Sequence, residues 1–488
     1  MTIPPAGFSA GIFLILSVEI QDYLRYNVEI IVIQRGSSMN NRTNLLQGSI
    51  LRALVTMALP IMATSLLQMA YNMTDMIWIG RVGSNSVAAV GAAGMFVNLS
   101  TGITAFLRVG SQVNVAQAYG ADRREKAARY ARNAIQLGAF LSVIYGLLVC
   151  LLRKPLVGFF RFTNAEVIRD AERYLLIMGI FILFSIVNPI FTAVITATGN
   201  SRTPFKISSV GLLINLILDP VLIFGLGPFP ALHVIGAAVA TVFAQFVVFL
   251  LYIAYLRKDI QVFSQMKFGR ALDKEEIRDI TRIGLPATIQ AVMFNCIGMT
   301  IGRIIAQWGE TAMAVQKVGI QVESISYMSA DGFAAATNSF IAQNYGARQY
   351  DRSRKGYTTA LRVMMGWGLF TTCVLVFLPS YIFRVFIPEP EVIPLGVDYL
   401  RILGYSQFFM CLEILTAGAF SAFGKTLPPS VVSILFTSMR IPMAVLLGKT
   451  ALGLNGVWWS ISLSSIFKGV ILVILFVRFM KKFQKANP

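Results

Sequence analysis

The sequence predicts an all-α, polytopic membrane protein of twelve transmembrane helices, arranged as two pseudo-symmetric six-helix bundles around a central cavity. Three observations predict this fold: an apolar composition, a regular succession of apolar stretches, and an internal repeat. The chain has 488 residues, of which 56% are hydrophobic and only 13% are charged. Because soluble proteins carry about 25% charged residues, this composition excludes an ordinary soluble domain.

The apolar stretches are long enough to cross a bilayer, which takes about 20 mostly apolar residues per helix. Glycine, proline and charged residues separate them into twelve segments. The predicted spans are 51–80, 86–118, 130–152, 171–198, 206–226, 234–256, 278–306, 313–344, 357–386, 397–423, 430–448 and 455–478.

The charges between the spans predict the orientation of the chain. The net charge of +19 comes from 42 Lys and Arg residues against 23 acidic residues. Most of this excess lies in segments on the side of both termini, above all 123–132 and 257–282. Because cytoplasmic loops are enriched in Lys and Arg, we expect both termini in the cytoplasm. The basic excess therefore gives no reason to expect a nucleic-acid partner.

An internal repeat divides the chain into two halves. Ala58-Leu59-Pro60 matches Gly284-Leu285-Pro286, and residues 116–121 match 342–347, both at a shift of 226 positions. Six spans per copy bring the second copy into the membrane from the same side as the first, which predicts a parallel repeat. The expected organisation is an N-lobe at 49–256, a cytoplasmic linker at 257–277, a C-lobe at 278–480 and a basic cytoplasmic tail at 481–488.

The segment before the first span has neither a long apolar run nor the basic start of a signal peptide. We expect residues 1–48 to be an extension that is disordered or not native, with Met39 as a candidate start.

A few polar residues interrupt the apolar spans of the N-lobe. On the first span, Asp75 lies four positions after Tyr71 and three after Asn72, so the three residues share one helix face. On the fifth span, Asn215 and Asp219 are also four apart. A carboxylate at the centre of a membrane helix costs about 2.5–3.5 kcal/mol on an insertion scale, so each acid is a functional candidate.

These side chains, together with Thr241 on the sixth span, offer only oxygen ligands. Such a set suits a proton or a hard cation such as Na⁺ and not a transition metal. In the repeat, the position equivalent to Asp75 is Ile301, and the position equivalent to Asp219 lies in an apolar stretch around Ala444. Binding of the proton or cation is therefore expected in one lobe only. The alternative is that both acids are merely hydrogen-bonded inside the bundle.

Other charges inside the spans have less defined roles. Asp331 and Glu413 form a candidate second polar site in the C-lobe, and Glu413 could instead pair with Arg440. The roles of Arg108, Arg303 and Lys317 stay open. The single His233 and four scattered cysteines give no zinc spacing, disulfide framework or hydrolase triad, so we expect neither an enzyme nor a cofactor.

Several motifs resemble those of the multidrug and toxic compound extrusion (MATE) family, over about residues 48–480. The matching segments are 58–60, 68–75 with Gly80 and Gly83, 117–121, 199–204, 215–220, 236–241, Pro286 and 343–347. Asp75 with the pair Asn215 and Asp219 resembles the prokaryotic branch that includes the DNA-damage-inducible F proteins.

The resemblance implies an antiporter in a bacterial or archaeal inner membrane that exports cationic or amphiphilic compounds in exchange for H⁺ or Na⁺. Asp75, Asn215, Asp219 and Thr241 would couple the ion. Near or lining the substrate cavity would be Gln68, Tyr71, Asn72 and Asn188, and Pro60 would be the hinge of the first helix. The expected partners are small organic cations or amphiphiles and membrane lipids, with the protein a monomer.

One rival stays open within the same superfamily. A flippase for lipid-linked cell-wall or polysaccharide precursors would use a basic cavity to hold pyrophosphate, and Arg108, Arg303, Lys317 and Arg440 keep that alternative open. The acidic N-lobe residues favour export of cations instead.

Overall fold

The computed structural model describes residues 42–226, 228, 230–259, 266, 269, 271–386 and 389–486. Nearly all of them are helical, and the described part of the chain contains no strand. Residues 1–41, which hold most of the predicted extension, and residues 260–265, 267, 268 and 270 of the predicted linker lie outside the described residues.

The described part of the N-terminal half contains eight helices: α1 (Ile50–Val82), α2 (Ser84–Leu99), α3 (Thr101–Gly120), α4 (Arg124–Gly158), α5 (Ala165–Ile180), α6 (Ile182–Ala197), α7 (Arg202–Phe224) and α8 (His233–Lys258). Eight more follow: α9 (Lys274–Ala306), α10 (Glu310–Gly346), α11 (Tyr350–Phe377), α12 (Pro379–Phe386), α13 (Ile393–Ala422), α14 (Leu427–Ser438), α15 (Arg440–Gly448) and α16 (Gly453–Ala486).

Every predicted span has a helix or a broken pair of helices at its position. By length and apolarity, ten of the described helical segments can cross a membrane, and eleven when α5 and α6, bent by 47°, count as one. The twelfth is α10, whose 37 residues include Lys317, Glu323 and Asp331 and are therefore less apolar. The predicted helical membrane fold is confirmed, and α16 continues through the predicted tail to Ala486.

The backbone repeats along with the sequence. Gly83 (φ 146°) ends α1, and Gly309 (φ 97°) lies at the equivalent turn after α9. Gly199 (φ 88°) and Gly424 (φ 70°) form a second equivalent pair. Side chains with a Cβ rarely adopt these angles, so the repeat preserves glycine where each half turns.

Three apolar clusters show how the two lobes meet. The largest contains residues of both lobes, such as Leu54, Ala116 and Phe340. The second lies wholly in the N-lobe and the third wholly in the C-lobe. The lobes therefore share a core at the end where α1 and α9 begin, called here the closed end, and have separate cores at the other end, called here the open end.

A pair of equivalent contacts locks the closed end. The Gln117 side chain of the N-lobe donates to the Ala422 carbonyl (2.7 Å), and Gln343 of the C-lobe donates to the Ala197 carbonyl (2.6 Å). Gly120 lies directly against the backbone of Gln343, and Gly346 against that of Gln117. Only residues without a Cβ permit this approach, so both glycines are needed for this close backbone contact.

We expect Gly120→Ala and Gly346→Ala each to destabilise the protein by about 1–3 kcal/mol, because the new Cβ overlaps a backbone carbonyl. Thermal unfolding of the purified protein measures this. The matched control is Gly298→Ala in α9, where no atom lies within 4 Å of the added Cβ and helix propensity favours Ala by about 1 kcal/mol. Equal melting temperatures for all three variants would contradict the packing argument.

The segment before α1 is tied into the closed end. Thr43 donates its backbone N–H to the Gly199 carbonyl (2.9 Å). The Arg352 guanidinium donates to the carbonyls of Leu45 (3.1 Å), Gln47 (2.9 Å) and Gly48 (2.9 Å). Residues 43–48, assigned to the extension from sequence, therefore belong to the folded body, because their carbonyls accept hydrogen bonds from a C-lobe arginine that the sequence pattern did not reveal.

Candidate functional site

Helix α7 contributes the amide and one carboxylate of the N-lobe site. Asn215 and Asp219 lie one turn apart, and the Asn215 side-chain N–H donates to Asp219 Oδ1 at 2.7 Å. Their side chains are 3% and 1% exposed. The predicted pair is therefore formed, and a buried carboxylate is held in a fixed orientation.

Two further helices approach the pair from either side. Tyr71 of α1 and Thr241 of α8 share a hydrogen bond of 3.1 Å between their hydroxyl oxygens. Helix α8 packs closely on α7, because Gly236 places its backbone against the Leu222 carbonyl. This close approach of the two helices at a small residue brings Thr241 to the site.

Asp75 is the unsatisfied member of the group. Its Oδ1 atom is buried and has no hydrogen-bond partner in the described part of the chain. Asp75 and Asp219 are close enough to interact electrostatically, and both act on the Tyr71 hydroxyl. A buried carboxylate oxygen without a partner costs about 1–3 kcal/mol or more, and a proton or a cation bound at this oxygen would remove that cost.

Tyr174 of α5 belongs to the same group and was missed from sequence. It is 7% exposed and interacts electrostatically with both Asp75 and Asp219. Its only signal was a match in the repeat to Tyr399, which indicated architecture and not chemistry.

The predicted cavity residues fall into two sets. Gln68 and Asn72 are exposed on α1 and lie within 3.4 Å of each other through their side-chain amides. Asn188 is different, because it is only 9% exposed and donates to the Gln245 carbonyl of α8 at 2.9 Å. Asn188 therefore packs between α6 and α8, while Gln68 and Asn72 are free to meet a ligand.

Pro60 lies inside α1, about four turns before Asp75, and the helix continues through it. Proline has no N–H to donate along the helix. The Thr64 hydroxyl donates to the Pro60 carbonyl at 2.8 Å, a local bond that does not replace the missing one. Helix α1 therefore lacks one backbone hydrogen bond at this point, and the hinge stays a prediction.

The C-lobe has no copy of the site. Ile301 and Ala444, which occupy the positions equivalent to Asp75 and Asp219, are 2% and 0% exposed and lie in the apolar C-lobe cluster. The asymmetry predicted from the repeat is present in the packing.

Asp331 and Glu413, the candidate second site, each contact a different cation. Asp331 lies 4.0 Å from Arg108 across the two lobes. Glu413 pairs with Lys468 of α16 at 2.9 Å, and both side chains are largely buried. The pairing of Glu413 with Arg440 was wrong, because Arg440 donates to Ser464 (2.6 Å) and Ser465 (3.0 Å) instead. Lys468 is the one charged residue within 455–477 of the last span. Its position was the signal in the sequence that could have identified it as the partner of Glu413.

Comparison with known proteins bears on both lobes. The MatE family model matches residues 60–221 and 286–446, one match in each half. A probable multidrug resistance protein NorM of Thermotoga maritima is 28% identical over 436 residues, covering 87% of this chain and 92% of that protein. An FAD transporter of Shewanella oneidensis is 24% identical, covering 88% of this chain and 95% of that protein.

The same fold is found among solved structures. A crystal structure of a MATE protein in complex with MaD5 superposes with a TM-score of 0.83 at 22% identity, covering 91% of this chain and 98% of that chain. Since the family model matches more than half of the sequence, this chain belongs to the MatE family of membrane transporters.

Proposed function

We propose that the protein is a secondary active antiporter that exports cationic or amphiphilic compounds in exchange for protons or sodium ions. The observation that carries this proposal is the buried, unpartnered Oδ1 of Asp75 beside Asp219. The ion binds among Asp75, Asn215, Asp219 and Thr241, whose carboxylate, amide and hydroxyl oxygens suit H⁺ or Na⁺.

The exchange follows from the cost of two neighbouring buried carboxylates. With both charged, repulsion and desolvation favour uptake of a cation or a proton. Uptake changes the hydrogen bonds that Asp75 accepts and that Tyr71 donates on α1. The missing backbone hydrogen bond at Pro60 then lets that helix bend. Bending moves Gln68 and Asn72, which face the ligand, so ion entry displaces the exported compound.

The relatives' names support export of organic compounds. The Thermotoga maritima relative is named for multidrug resistance, and a multidrug export protein MepA of Staphylococcus haemolyticus is 24% identical over 432 residues. The exposed faces of α1 combine amides with methionines such as Met73 and Met76, and methionine adapts to ligands of varied shape.

The lipid-precursor flippase is less well supported. Two of the four basic residues that could hold a pyrophosphate are engaged, since Arg108 faces Asp331 and Arg440 donates to two serines. Arg303 and Lys317 are exposed and lie on separate helices, α9 and α10.

Transport of a fluorescent organic cation in proteoliposomes tests the proposal, with proton and sodium gradients imposed separately. We expect one of the two gradients to drive uptake of the organic cation against its own concentration gradient. Protein-free vesicles should show no such uptake. Failure of both gradients would contradict antiport. Rescue of a cell-wall synthesis defect in place of drug resistance would favour the flippase.

We expect Tyr71→Phe to reduce ion-driven transport by about tenfold without abolishing it. The change removes the hydrogen bond to Thr241 and the hydroxyl next to both acids, yet leaves the carboxylates in place. A neutral hydrogen bond contributes about 0.5–1.5 kcal/mol, and the upper end of that range corresponds to about a tenfold change in rate. Thr241→Val removes the same bond from the other side, and an unchanged rate in both variants would exclude a coupling role for it.

A further inference from the structure

A cavity lies at the closed end, away from the site that contains Asp75. Its volume is about 250 Å³, and both repeats line it, the first through residues between Asn114 and Tyr130 and the second through residues between Tyr345 and Tyr350. Drug-sized ligands occupy pockets of about 300–1,000 Å³. This cavity therefore suits a small ion or a head group, and not the exported compound.

Three cations line the cavity and no acidic residue does. They are Arg123 and Lys126 from the N-lobe and Arg348 from the C-lobe. Within the described part of the chain, none of them forms a salt bridge. Lys126 lies 5.5 Å from the centre of the Tyr130 ring, a cavity wall.

Three acids near the cavity have partners of their own. Asp122 pairs with Arg124 at 2.8 Å, and Glu276 of α9 pairs with Arg129 of α4 at 2.9 Å. Asp279 accepts a 2.5 Å hydrogen bond from the Tyr130 hydroxyl. With these three acids engaged elsewhere and no acid in the lining, the three cations give the cavity a positive charge, which favours an anion.

The shape of the two arginines narrows the class of anion. A guanidinium matches the paired oxygens of a phosphate group, and a lysine ammonium adds a point charge. Tyr345 and Tyr350 close the other wall and pack on Phe483 of α16, so the cavity is bounded by rigid rings. A phosphate group, free or carried by a phospholipid at the membrane surface, has the charge and donor requirements that these residues meet.

We propose that this cavity binds a phosphate-bearing anion and that the bound anion holds the two lobes together at the closed end. Arg123 and Arg348 come from different lobes, so any movement that parts the Gln117 and Gln343 contacts also separates the cations. A ligand that binds only the joined arrangement stabilises that arrangement by its own binding free energy. The inference is independent of the ions and compounds transported.

Thermal unfolding of the full chain tests binding with two separate probes. The first is inorganic pyrophosphate, added at constant ionic strength to protein in nanodiscs of phosphatidylcholine. The second is the replacement of phosphatidylcholine by phosphatidylglycerol. We expect a higher melting temperature with at least one probe, and the probe that acts identifies a soluble or a lipid phosphate.

The variant Arg123→Gln/Lys126→Gln/Arg348→Asn should bind the effective probe about tenfold or more weakly. Asparagine is chosen because position 348 has φ 59°, which Asn tolerates. The matched control, Arg202→Gln/Lys206→Gln/Arg362→Gln, removes three cations that do not line the cavity. If the triple variant does not fold, Arg348→Asn alone should still weaken binding severalfold.

Hydrogen exchange distinguishes an anion that holds the two lobes together from one that binds without this effect. With the effective probe, amides in residues 117–124 and 343–350 should exchange more slowly in the wild type and not in the cavity variant. No melting shift with either probe, an equal shift in wild type and cavity variant, or binding without slower exchange in both segments would each overturn the proposal.

Discussion

Asp219→Asn and Asp75→Asn are each expected to abolish ion-coupled export while leaving the protein folded. Asparagine has nearly the shape of aspartate, but its neutral amide neither takes up a proton nor balances the charge of a bound cation. The proposed bending of α1 is therefore no longer coupled to the ion. Asp219 keeps its bond to Asn215 in the variant through the amide oxygen. Fluorescent-cation transport in proteoliposomes measures the loss.

The control is Asp351→Asn at the start of α11, an exposed acid outside the site. It removes the same charge and should transport at the wild-type rate. Melting temperatures within a few degrees of the wild type show that the site variants are folded. Wild-type transport by either Asp75→Asn or Asp219→Asn would remove that residue from the coupling mechanism.

The second large effect concerns stability. Lys468→Met should destabilise the C-lobe by about 3–5 kcal/mol, because it leaves the buried Glu413 without its ion-pair partner. The double variant Glu413→Gln/Lys468→Met removes both charges and should recover most of that loss. Chemical or thermal unfolding of the three proteins gives the double-mutant comparison.

A single variant as stable as the wild type would mean that Glu413 finds another cation or a proton at no cost. A double variant no more stable than Lys468→Met would mean that the two charges do not act on each other.

Sequence reasoning succeeded where one rule acts along a single helix. Apolar length located the twelve spans, and the four-residue spacing placed Asn215 and Asp219 on one face. The repeat also correctly predicted an apolar environment for Ile301 and Ala444. An acid present in only one copy is evident when the two copies are aligned.

It failed where contacts join helices distant in sequence. Glu413 has Arg440 and Lys468 both available, and only the packing of α13 on α16 selects Lys468. Tyr174 reaches the acids of α1 and α7 from α5, and Asn188 turns to the Gln245 carbonyl. Residues 43–48 look like any polar lead-in until Arg352, some 300 positions later, binds their carbonyls.

The three apolar clusters bear on the free energy that is needed to close the space between the lobes at one side of the membrane and open it at the other. When the lobes part at the closed end, the residues of the shared cluster lose their partners across the seam. If the lobes meet at the open end at the same time, surfaces beside the second and third clusters gain partners there. The two states then differ only by the difference between two interfaces, which a single bound ion or ligand with unequal affinity is able to reverse.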